Sequence, residues 1–254
     1  MSQNRTNIVT AGIMLSLFLA SMESTVVATA MPTIVGQLGG LEHYSWVFSA
    51  FMLASTTVVP LYGKLSDIYG RRILYIIAMV LFLIGSVLCG MSNSMTQLIF
   101  ARALQGIGAG GIMPLAFIMI GEMFSLAQRT KMQGLFSGVW GVSSIAGPLL
   151  GGFIVDRFSW HWVFYINVIP GLIAGALVTF GWRDRAQSHE RPAVDYAGAM
   201  LLTVGIITLL LGLMEFGTIN SWSLIAVSIA LFIVLWWVES RAADPILPIP
   251  LFRD

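Results

Sequence analysis

Long apolar runs alternate with short polar connectors along this chain. Eight runs approach the roughly 20 apolar residues that a helix needs to cross a bilayer. They cover about 9–30, 44–63, 73–91, 97–121, 132–154, 162–182, 196–214 and 222–238. The pattern predicts eight transmembrane helices, with no soluble domain and no low-complexity segment between them. The first run has a competing reading as a cleaved signal peptide, because Ala28-Thr29-Ala30 resembles a small-residue cleavage site. That run is long for such a segment, contains Glu23, and has only Arg5 as a basic start, so a retained helix is preferred.

Composition strengthens this picture. Of 254 residues, 57% are hydrophobic and 10% charged, against about 25% charged in soluble domains. Mean hydropathy is +0.86. A soluble chain this short cannot hide so many apolar side chains. A bilayer removes the difficulty by solvating the outside of the protein. A net charge of +1 gives no case for a nucleic-acid partner. The single cysteine, Cys89, has no intrachain partner and reads as a small packing residue. His43, His161 and His189 are scattered over different connectors, with no metal-ligand or nucleophile–base spacing. An enzyme, a metal or a cofactor is therefore not expected.

The basic residues set an orientation. With a cytoplasmic N-terminus, the inner side receives Arg5, Lys64, Arg71, Arg72, Arg129, Lys131, Arg183, Arg185, Arg191, Arg241 and Arg253, while the outer side receives only Arg157. Both chain ends then come out cytoplasmic. Trp46, Trp160, Trp162 and Trp222 fall near the outer interface, and Trp182, Trp236 and Trp237 near the inner one. Trp140 alone is mid-span.

Ionisable groups inside a membrane are costly and serve as functional candidates by default. Glu23 in the first span and Arg102 in the fourth both lie roughly 9–10 Å below the outer interface at a 1.5 Å rise per residue. If their helices are neighbours, the two charges share one site. A protonatable carboxylate controlled by a fixed cation is one reading; a static ion pair locking two helices is the other. Gly106 and Gly110 continue the Arg102 face at small-residue spacing, with Gln105 beside it and Pro114 permitting a kink. The fifth span holds Gly134, Gly138 and Gly141, then Gly147-Pro148-Leu149-Leu150-Gly151-Gly152. This dense cluster predicts a bendable, closely packed helix beside the site.

Between spans 2 and 3 runs Gly63-Lys64-Leu65-Ser66-Asp67-Ile68-Tyr69-Gly70-Arg71-Arg72. Gly63 and Gly70 would allow a tight turn. Asp67 would accept from Arg71 or from a helix N-terminus, and Glu122 would reach Arg71 or Arg72. The functional reading is a charge latch; the competing one is an ordinary positive-inside loop, which leaves the acidic residue and the glycines unexplained. Gly63-x-x-x-Asp67 recurs as Gly152-x-x-x-Asp156, preceded by Pro60 and Pro148 respectively. Each copy follows the second helix of a three-helix set, the arrangement of inverted repeats in secondary transporters.

Together these residues resemble the major facilitator superfamily, specifically its fourteen-helix drug:proton antiporters (the EmrB/QacA type). Residues Gly63 to Arg72 match its signature loop. Arg102-Ala103-Leu104-Gln105-Gly106-Ile107-Gly108-Ala109-Gly110 matches its span 4 motif, and Gly141 through Gly147-Pro148 to Gly151-Gly152 its antiporter motif in span 5. Met22-Glu23-Ser24-Thr25-Val26-Val27-Ala28-Thr29-Ala30-Met31-Pro32 resembles its span 1 motif, with Glu23 where the family usually has Asp and Ala28 where it usually has Asn. Ser159-Trp160-His161-Trp162-Val163-Phe164-Tyr165-Ile166-Asn167 and Ala243-Asp244-Pro245 also fit the group. The resemblance implies an all-α membrane protein: a six-helix bundle over 1–187 built as a 3+3 inverted repeat, plus two further transmembrane helices over 188–254. It implies proton-coupled antiport of drug-like or amphipathic molecules across the cell membrane. Glu23 and Arg102 would couple protons, and spans 1, 2, 4 and 5 would line the cavity. The expected partners are the lipid bilayer, protons, a small-molecule substrate, and a C-terminal bundle or second chain. Family members continue beyond Phe252-Arg253-Asp254 into that second bundle, so a fragment or a natural half is expected. The alternative is a non-transporting half-module or scaffold that works only with a partner chain.

Overall fold

The computed structural model describes residues 3–184, 196–214 and 219–241. Arg185, His189, Arg191, Ala243-Asp244-Pro245 and the segment 252–254 with Arg253 lie outside the described residues. The helices are α1 (Gln3–Leu38), α2 (Tyr44–Tyr69), α3 (Arg71–Gly90), α4 (Met95–Met123), α5 (Leu126–Arg157), α6 (Trp162–Tyr165), α7 (Val168–Gly181), α8 (Tyr196–Met214) and α9 (Ile219–Glu239). With α6 and α7 forming one broken span, eight spans among the described residues are long and apolar enough to cross a membrane. Each matches one apolar run. The chain is a multi-pass membrane protein.

Helices outrun the apolar runs because polar residues cap them. Ser94 starts α4 by accepting from the Gln97 N–H at 3.3 Å. Ser125 and Gln128 form a reciprocal capping box at the start of α5. Gly39 and Gly40, at φ +70° and +72°, turn the chain from α1 into α2. At 36 residues, α1 is about 54 Å long and overshoots the ~30 Å hydrocarbon core.

One expectation is corrected. Gly63 to Tyr69 do not form a loop but the last turns of α2, because Ser66 Oγ bonds back to the Gly63 carbonyl at 2.8 Å and the Gly70 N–H reaches the Ser66 carbonyl at 3.1 Å. Gly63 is helical; the turn is Gly70 alone, at φ +94°.

Helices α1 and α4 are central. α4 packs between α2 and α3, and α1 packs between α5 and α7. Two helices of each triplet therefore flank the leading helix of the other. Glycine lets these helices approach: a Cβ on Gly106 or Gly110 would overlap the Phe51 or Ser55 carbonyl of α2, and one on Gly108 would overlap the Phe82 backbone of α3. Outward faces are apolar, with Ile73, Ile77, Val80, Ile84 and Leu88 forming an exposed stripe on α3 suited to lipid. Helices α8 and α9 pack on each other, and α8 touches α2.

Most buried apolar side chains among the described residues fall in two clusters. One gathers Leu17, Tyr75, Phe82, Ile112 and Val178 toward the end holding the N-terminus. The other gathers Val26, Ile34, Leu98, Trp160 and Phe164 toward the opposite end.

Candidate functional site

A polar layer separates the two clusters. Glu23 on α1 and Arg102 on α4 are 1% and 0% exposed and pair at 2.7 Å. Oε1 of Glu23 accepts from Arg102 Nη1 at 2.7 Å and from Gln105 Nε2 at 2.9 Å. Its Oε2 accepts from Asn167 Nδ2 at 2.6 Å. Arg102 also donates from Nη1 to Gln105 Oε1 at 2.7 Å and from Nε to the Val47 carbonyl of α2 at 3.2 Å. Ser86 of α3 accepts from Gln105 and Asn167 at 2.7 and 3.2 Å. The Phe51 ring lies 4.2 Å from the Arg102 guanidinium carbon, within cation–π range. Arg102 Nη2 and Asn167 Oδ1 have no partner among the described residues.

The sequence singled out Glu23 and Arg102, and the fold brings them together. It did not single out Ser86 or Asn167 as ligands of the carboxylate. Both are uncharged, and nothing in the sequence marks them as partners of a carboxylate. Asn167 stands where the sixth span breaks between α6 and α7, and that break delivers its side chain to the centre.

Beside this layer lies an apolar cavity of about 760 Å³, within the usual range for small-molecule sites. Its walls come from α1, α2, α4 and α5, with Ile206 of α8 added. Trp140 is one of its walls, which accounts for a tryptophan far from either interface. Ser21, Ser24, Ser55 and Thr56 supply hydroxyls, and Arg102 is the one charged lining residue among the described residues.

A second charged group sits at the α2–α3 turn. Arg71 Nη2 pairs with Asp67 at 2.5 Å, its Nε with Glu122 of α4 at 3.0 Å, and its Nη1 with Ser66 at 2.9 Å. Glu122 thus pairs with Arg71. The α3 N-terminus bonds not to Asp67 but to Asp184, which accepts from the Arg71 and Arg72 N–H groups. The sequence reading missed Asp184; its only signal was an acid within the basic stretch Arg183 to Arg185.

In α5 the glycines divide. A Cβ on Gly147 would overlap Thr25 Oγ1, and one on Gly151 would overlap Thr29 Oγ1, so these two let α5 close on α1. Pro148, between them, faces outward. A Cβ on Gly134, Gly138, Gly141 or Gly152 would meet nothing within 4 Å, so the expected close packing fails there. Those four lie on the side of α5 away from α1.

A multi-pass helical bundle with a buried ion pair beside an apolar cavity is a transporter-like architecture. The pattern of the Major Facilitator Superfamily matches residues 13–238, and the chain belongs to that family, whose members are transporters rather than enzymes. It is 42% identical over 261 residues to "Multidrug transporter protein MdtP" of Bacillus subtilis (strain 168), covering 99% of this chain and 48% of that protein. It is 40% identical over 258 residues to "Multidrug resistance protein 3" of the same organism, covering 99% of this chain and 50% of that protein. The chain spans about half the length of these curated relatives. Among solved structures, the human organic anion transporter MFSD10 shares the fold at a TM-score of 0.65 and 16% identity, over 80% of this chain and 54% of that one. An auto-inhibited peptide transporter of the POT family matches at 0.62 and 18%, over 93% and 53%.

Proposed function

We propose that this chain is the N-terminal part of a proton-driven exporter of drug-like or amphipathic molecules across the cell membrane. Residues 1–187 are its first bundle and 188–254 an added helix pair, with both ends cytoplasmic. A second bundle, from further sequence or another chain, completes the machine. The carrying observation is the Glu23–Arg102 layer against an apolar cavity. Glu23 is the proton carrier. Protonation removes the charge that holds Arg102 Nη1, and deprotonation restores it, so proton binding and the bundle's internal ties are linked. The Arg71 group acts as a latch at the cytoplasmic end. The printed names of the two Bacillus relatives support a drug-like substrate, as does the cavity's apolar lining.

The test uses the complete transporter in proteoliposomes under an imposed pH gradient, with ethidium as the probe. Glu23→Gln, which cannot exchange a proton, abolishes gradient-driven efflux while ethidium binding persists. Gradient-driven efflux at the wild-type rate in that variant overturns the assignment.

A further inference from the structure

We propose that Asp184 is the third carboxylate of the Arg71 latch, a positioning residue that caps α3 from the segment after α7 and ties those two helices together at this end.

Every α-helix begins with N–H groups that have no partner in the helix. A side chain at the N-cap position usually serves them. In α3 that position is Gly70, which has no side chain. Asp184 fills the role from 114 residues away in sequence. Its Oδ1 accepts from the Arg71 N–H at 3.0 Å and the Arg72 N–H at 3.3 Å. The carboxylate also meets the positive end of the helix dipole there. Its placement is fixed from the other side, because Oδ1 also accepts from the indole N–H of Trp182 at 2.8 Å. Trp182 is 3% exposed, packed in the core of the bundle.

Gly70 fits this reading for two reasons. Its φ of +94° is strained for any residue with a side chain. A Cβ there would also stand 2.9 Å from Asp184 Oδ2. The glycine leaves room for the incoming carboxylate.

Arg71 thereby becomes a four-way node. Its guanidinium binds Asp67 and Ser66 on α2 and Glu122 on α4, while its backbone binds the segment after α7. The two sets of bonds are separable. Breaking the guanidinium bonds removes the ionic ties of this turn to α2 and α4 but leaves the Asp184 cap that ties α3 to the segment after α7.

The capping claim rests on geometry; its consequence for transport rests on the exporter reading. Hydrogen exchange by mass spectrometry on the purified protein tests the first. Asp184→Ala speeds exchange of the Arg71 and Arg72 amides about tenfold, the loss expected for a hydrogen bond to a charged acceptor. Exchange across residues 98–108 does not move, and the melting temperature falls by only about 2–4 °C. Asp184→Glu restores protection, and Asp184→Asn falls between. Gly70→Ala reproduces the fast exchange with Asp184 intact, which covers the case in which Asp184→Ala does not fold. Exchange within about twofold of wild type in both Asp184→Asn and Gly70→Ala overturns the cap. In ethidium efflux, Asp184→Asn lowers the maximal rate and leaves KM unchanged. Fast amide exchange with an unchanged maximal rate overturns the latch role. Absence of efflux in the wild type fails the exporter reading instead, and leaves the exchange result standing.

Discussion

Neutralising either half of the Glu23–Arg102 pair should cost far more stability than neutralising both. Glu23→Gln keeps the shape of the side chain, and turning Asn167 would offer its unpartnered Oδ1 to the new amide. The hydrogen bonds at position 23 can therefore be nearly rebuilt. The charge cannot. Arg102, fully buried, would keep only neutral acceptors: the new amide oxygen, the Gln105 side-chain oxygen and the Val47 carbonyl. Removing one partner of such a pair costs about 3–5 kcal/mol, because the other charge is left uncompensated. Arg102→Met is the mirror case, leaving the carboxylate with two amide donors. Joining both substitutions removes both charges, and a buried pair replaced by neutral groups is often close to neutral in stability. For a chain of this size a loss of 1 kcal/mol lowers the melting temperature by about 2–4 °C. Each single variant should then melt roughly 10 °C below wild type, and the double variant above either single. The eight tryptophans provide the signal, as intrinsic fluorescence in one detergent at one scan rate. Two results refute the reasoning. If the single variants melt within about 2 °C of wild type, the pair is not a desolvated one. If the two losses simply add in the double variant, the side chains are not coupled.

Two further outcomes follow from packing and burial. Gly147→Ala and Gly151→Ala force α5 away from α1, by about 1–3 kcal/mol each, whereas Gly141→Ala and Gly152→Ala meet open space and gain about 0.5–1 kcal/mol of helix propensity. Equal melting temperatures across the four variants would contradict the split. His161 stacks on Trp160 with centroids 3.8 Å apart, and burial pushes its pKa below the ordinary 6.5. The unfolded chain then binds more protons than the folded one just below that value, so stability falls as pH drops through the window. His161→Gln should flatten that part of the melting-temperature profile between about pH 7.5 and 5.5, and an unchanged slope would show that His161 does not titrate as described.

What the sequence revealed follows from how its signals arise. Span positions were legible because crossing a bilayer demands a long apolar run, and all eight runs became helices. Glu23 and Arg102 were legible because a charge inside such a run is conspicuous. Their common depth followed from helical rise, but their contact needed the knowledge that α1 and α4 are neighbours. Ser86 and Asn167 were not legible as ligands, because neutral polar residues are ordinary in membrane helices and only three-dimensional convergence distinguishes them. The loop from Gly63 to Arg72 misled in its boundary. Glycines suggest a turn, yet Gly63 stays helical and only Gly70 adopts a conformation that needs glycine. The α5 glycines misled in another way. Composition cannot tell Gly147, which packs on α1, from Gly141, where an added Cβ would meet open space.

The position of the polar layer constrains any proton route. On the exporter reading, the apolar clusters packed toward both ends of the bundle would leave the side as the route for water. On that side lies the cavity, and of the layer's members Arg102 borders it while Glu23 does not. Phe51 covers the guanidinium and also lines the cavity. On the exporter reading, a proton bound for Glu23 therefore passes Phe51 and Arg102 first. A cavity ligand resting against Phe51 would occupy that same approach. Competition between proton and substrate then needs no direct contact between substrate and carboxylate. It needs only that both use the same entrance. The departure that the sequence resemblance marks at Ala28 lies away from this layer. Ala28 is exposed on α1, whereas the amides that bind Glu23 come from Gln105 and Asn167. The missing amide at Ala28 therefore leaves the carboxylate's own ligands intact, and any effect of that departure belongs to the exposed surface of α1.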